Sequence, residues 1–79
     1  AVPEMLARKV VTAVNRLRER DLVKPPGVAE TLDWVAALTV LDSEDLDAQS
    51  ARDTLGSVIK DRDDLADVCS DLDTVISDV

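Results

Sequence analysis

Two consecutive prolines, Pro25 and Pro26, followed by Gly27, set the strongest limit on what this chain can fold into. A proline has no backbone N–H, and its ring pushes the preceding residue to an extended conformation. Neither a helix nor a central strand can run through that point. Regular structure must stop before the Asp21–Gly27 stretch and start again after it. Upstream, Met5, Leu6, Val10, Val14 and Leu17 recur at three- and four-residue spacing, which predicts one helix from Pro3 to Arg20 with a single apolar stripe. Arg18 and Arg20 sit where the helix dipole favours positive charge. Downstream, Val28–Leu41 predicts a second helix, with Glu30 placed to reach back to a free amide at Gly27. This segment is apolar almost all round, through Leu32, Trp34, Val35, Leu38, Val40 and Leu41. It is expected to be covered on more than one side, as the central helix or by part of a longer protein.

Asp47 is a good N-cap for a third helix, Ala48–Ile59, in which Gly56 suggests close approach of a neighbouring helix. A fourth helix is expected from Asp61 to Asp78, carrying Leu65, Val68, Cys69, Leu72, Val75, Ile76 and Val79 at unbroken helical spacing. No strand-like alternation and no internal repeat is present. The fold class that follows is all-α, a small four-helix bundle in one domain spanning 1–79.

Composition removes much chemistry. Histidine is absent, Cys69 is the only cysteine and Trp34 the only aromatic residue. Histidine-dependent triads, zinc sites of Cys and His, and internal disulfides are excluded. Ser43, Ser50, Ser57, Ser70 and Ser77 have no histidine to activate them. The two glycines, Gly27 and Gly56, are too far apart for a phosphate loop. Asp42–Asp47 lacks the glycine of a calcium loop and puts Leu46 where an oxygen ligand belongs. The sequence therefore reads as a non-enzyme when taken alone. Cys69 falls on an apolar stripe, as a buried small hydrophobe would. No apolar run is long enough for a membrane span, and no signal peptide is visible, so a cytoplasmic location is expected.

The net charge of −8 is uneven. Residues 1–40 carry six basic and five acidic side chains, whereas 41–79 carry three basic and twelve acidic ones. The acidic half repels nucleic acid and anionic membranes, so neither is expected as a partner. It is either a solvated face or a surface for a basic protein.

Lys24-Pro25-Pro26-Gly27-Val28-Ala29-Glu30-Thr31-Leu32-Asp33-Trp34 resembles the C-terminal segment of MoxR-family AAA+ ATPases, in the branch associated with von Willebrand factor A proteins. Arg52-Asp53-Thr54-Leu55-Gly56 through Lys60, then Arg62-Asp63-Asp64-Leu65, resembles that family's ending, and Val11–Arg20 also fits. The resemblance spans about residues 5–68. It implies the small helical lid that follows an α/β ATPase core, with ATP and Mg²⁺ held by that core and the cleft closed by the lid. Lys24, Val28, Ala29 and Glu30 would then lie nearest the nucleotide. The implied partners are the core, neighbouring subunits of a ring, and a von Willebrand factor A domain protein remodelled in a chaperone-like way. Ala36 stands where relatives often carry an arginine, and no basic residue occurs in Val28–Thr31. Lys24 or Arg18 would have to substitute.

The residues also admit plainer readings. Pro25, Pro26 and Glu30 can simply cap a helix, and Trp34 can be core rather than an adenine-stacking ring. Two other functions fit the composition. One is a free-standing acidic helical adaptor. The other is an acyl-carrier-like protein, in which Asp42-Ser43 would accept phosphopantetheine although Glu44 occupies a leucine position.

Overall fold

A computed structural model describes residues 4–43 and 45–79. Pro3 and Glu44, invoked above, lie outside the described residues. The chain is all-α: α1 (Glu4–Arg18), α2 (Val28–Val40), α3 (Ala48–Thr54), a short 3₁₀ turn (Leu55–Ser57), α4 (Arg62–Ser70) and α5 (Leu72–Val75). No strand occurs among the described residues. The radius of gyration is 11.2 Å, close to the roughly 11.6 Å expected of a folded domain of this length.

The apolar periodicity of α1 does as expected: Leu6, Val10, Val14 and Leu17 are buried, together with Ala13. Met5 is the exception and remains exposed. Around α1 the core is built from Trp34 and Leu38 of α2, Ala51 and Leu55, Val58 and Ile59, Val68 of α4, and Leu72 and Val75 of α5. Leu22 and Leu46 close it from the connecting loops. Cys69 is half-buried against this core.

The caps follow local chemistry. Asp47 accepts a hydrogen bond from the Ser50 amide while Ser50 Oγ accepts one from the Asp47 amide, a reciprocal capping box. Asp61 accepts from the amides of Asp63 and Asp64, both at 3.0 Å. At the other end of α2, Asp42 adopts φ 56°. Its amide donates to Thr39 O and the Ser43 amide donates to Leu38 O, a Schellman closure with an aspartate in the place glycine usually fills.

Four sequence expectations are corrected. First, α2 is covered on one side only. Trp34 and Leu38 are buried, whereas Val28, Leu32 and Val40 are 76%, 65% and 85% exposed. With so short a chain, α1 and α3 cover only the inner face of α2. Second, α3 ends at Thr54, not Ile59. Thr54 Oγ1 donates to Ser50 O at 2.7 Å and accepts from Trp34 Nε1 at 2.7 Å, and beyond it the chain tightens so that Val58 and Ile59 both donate to Leu55 O. Third, nothing lies within 4 Å of where a side chain at Gly56 would project, so no helix passes there. The glycine lies in the exposed 3₁₀ turn instead. Fourth, the last helix breaks at Asp71, whose backbone (φ −129°, ψ 24°) leaves the helical region. Arg20 on the loop after α1 holds the Asp71 carboxylate at 2.9 Å and the Asp67 carboxylate at 3.1 Å. The final turn swings against α1, where Arg16 donates to the carbonyls of Val75, at 3.0 Å, and Ser77.

Candidate functional site

The Asp21–Gly27 loop is held by one carboxylate. Asp64, buried in the first turn of α4, accepts the Val23 amide at 2.9 Å and the Lys24 amide at 2.8 Å. Pro26 is fully buried beside this clamp. The loop therefore delivers α2 at a fixed place, with its first turn turned outward. Lys24, Val28 and Ala29 are exposed and Glu30 is half-buried, so all four sequence-predicted residues gather at this end of α2. Glu30 does not cap the helix. The Gly27 amide makes no hydrogen bond to the Glu30 carboxylate, whose nearer oxygen stays 3.8 Å from where a Gly27 Cβ would stand. Thr31 Oγ1 instead donates to Gly27 O at 2.8 Å.

Beside this turn lies a groove of about 220 Å³ between α1 and α2. Val11, Val14, Asn15 and Arg18 line it from α1, and Gly27, Val28, Thr31 and Leu32 from α2. Its walls are mostly apolar, with Arg18 as the one charged lining residue. Sequence reasoning missed Val11 and Leu32 as parts of a surface. The signal was available for Val11, which is apolar yet falls off the buried stripe of α1. For Leu32 the apolar character of α2 left two alternatives, cover as the central helix or by part of a longer protein, and only the first is contradicted by its exposure.

Trp34 is fully buried and donates its indole N–H to Thr54, which makes it a core residue and not a stacking platform. Ala36 is exposed on the outer face of α2. Ser43 closes the C-terminal end of α2, where partial negative charge collects. Among the described residues, no group of three or more His, Cys, Asp or Glu side chains is placed to hold a metal ion, and no helix is long and apolar enough to cross a membrane.

Away from the groove the charges pair across elements. Lys9 donates to Asp45, and this contact, with the Leu46 amide, holds the Asp45 carboxyl below its ordinary range. The hydrogen bond from Arg20, then that from Thr74, does the same for Asp71. The reciprocal effect raises the Arg20 guanidinium, first through Asp71 and then Asp67.

These features define a small all-α bundle with an outward apolar surface at one end. Comparison with protein families, with curated proteins and with solved structures finds no match for this chain.

Proposed function

We propose that this chain is a docking module with no chemistry of its own, the helical lid of a MoxR-like AAA+ ATPase. In this reading it closes over ATP and Mg²⁺ held by a separate α/β core, and passes the energy of hydrolysis to remodelling of a von Willebrand factor A domain protein. The observation that carries the reading is the exposed apolar groove at the start of α2. It adjoins the Lys24–Glu30 turn, the stretch whose resemblance implies nearness to nucleotide.

The groove's apolar walls suit a core side chain or a purine edge, and the free amides of the first turn of α2 suit an anion. Lys24 and Arg18 supply positive charge at the same end. In this reading the core would hold Mg²⁺. The lid orients and excludes water; it transfers no group.

Two measurements test the proposal. Amide shifts during titration of the isolated chain with Mg·ATP should move only weakly, at Arg18 and Lys24–Thr31, with no hydrolysis. Tight saturable binding remote from residues 24–34 overturns it. The coding frame upstream of Ala1 should encode a phosphate-loop core. A frame without one selects the free-standing adaptor, a second reading favoured by the twelve acidic side chains in residues 41–79.

A further inference from the structure

The outer face of α2 carries apolar side chains from end to end, with the exposed Thr39 the polar residue among them. At 100° per residue, Val28, Leu32, Ala36 and Val40 form one ridge at four-residue spacing opposite the buried Trp34 and Leu38. Every large hydrophobic residue that the described structure leaves exposed lies between Met5 and Leu41. The half of the chain beyond Leu41 exposes no large hydrophobic residue and, with twelve acidic and three basic side chains, is more negative than the chain as a whole. A second copy meets the least charge repulsion, and the most exposed apolar surface, through α1 and α2.

The borders of this face are also complementary to themselves. Asp33 and Glu30 flank the ridge on the side away from α1. Arg8 and Arg18 flank Val11 on the α1 side. A two-fold axis running along the ridge brings the acidic border of one copy onto the basic border of the other and seats ridge against ridge. Arg8 is engaged only by Glu4, an exposed pair at 2.8 Å, and an exposed pair is easily exchanged.

We propose that two copies of this chain pair through α2, with Leu32 and Val40 buried between them and the Glu30–Asp33 border of each copy set against the Arg8–Arg18 border of the other. The pairing goes beyond the lid reading and does not depend on it. It uses the surface a core would take, so core and second copy compete.

Sedimentation equilibrium of the isolated chain, without nucleotide, tests it. A monomer–dimer equilibrium is expected between about 1 μM and 1 mM, weakening as salt screens the ion pairs. Leu32→Glu, at an exposed position, should abolish the dimer while circular dichroism keeps its helical signal. Asp33→Lys should weaken the dimer, and adding Arg18→Glu to it should restore the association. A monomer at every concentration overturns the proposal, as does a dimer that Leu32→Glu leaves intact. Neither failure bears on the lid, which the nucleotide titration tests separately.

Discussion

Asp64 shows how much one side chain can organise. Its two oxygens take the amides of Val23 and Lys24, residues about forty positions earlier in the chain. A Pro-Pro-Gly segment has few amides of its own to place in regular structure, and Asp64 satisfies the two just before it. Asp64→Ala leaves two amides unpaired and should cost about 1–3 kcal/mol in chemical denaturation. The amide signals of Val23 and Lys24 should shift most. Thr54 is a second such residue. Thr54→Val keeps the shape but strands the indole N–H of Trp34, at a similar expected cost, read from the same unfolding curves. Neither role was legible in the sequence. In sequence Asp64 is one of three acids, with Asp61 and Asp63, at the start of a helix, and nothing local distinguishes a carboxylate that reaches across the molecule. Trp34 as core was legible, because a lone aromatic between apolar residues has few other places to go.

The helices divide by where their boundaries come from. Asp47 and Asp61 cap α3 and α4 with their own next turn, so both starts could be read from four or five residues. Asp47→Ala should lower the urea midpoint, since the capping box loses its acceptor. The break at Asp71 could not be read, because the contact that accompanies it comes from Arg20, fifty-one positions away. The same is true of Thr54, where a hydroxyl shared with Trp34 accompanies the end of α3. These long-range pairs also set the response to acid. The carboxyls of Asp71 and Asp45 are held below their ordinary range, by Arg20 and Lys9 first. The folded chain thus binds protons less readily than the unfolded one at these positions. Their contribution is fully present above the ordinary carboxyl pKa of about 3.9 and drains away as pH falls through the lower folded values. Asp71→Asn should be less stable than the parent chain at neutral pH. That difference should close as urea curves are repeated towards about pH 2. A gap that stays constant with pH refutes the assignment.

Over the whole molecule, burial is one-sided. The core wraps α1 and leaves the outer face of α2 open, although α2 is the more apolar of the two in sequence. Apolar content announced that α2 meets something. It could not announce that only one meeting happens within these residues, since an uncovered ridge and a covered one have the same sequence. Leu38 and Leu32 provide the test. Leu38→Ala should cost about 2–5 kcal/mol. Leu32→Gln should stay within about 0.5 kcal/mol in dilute solution, where the chain is monomeric. Equal losses for the two would mean that α2 is enclosed after all.

The grip of Arg16 on the carbonyls of Val75 and Ser77 has a consequence for synthesis. Of these helices, the one synthesised first finds its last partners only among the final residues described. A nascent chain must clear the exit tunnel through Ser77 before α1 is locked in place, and until then its valines and leucines stand open to chaperones.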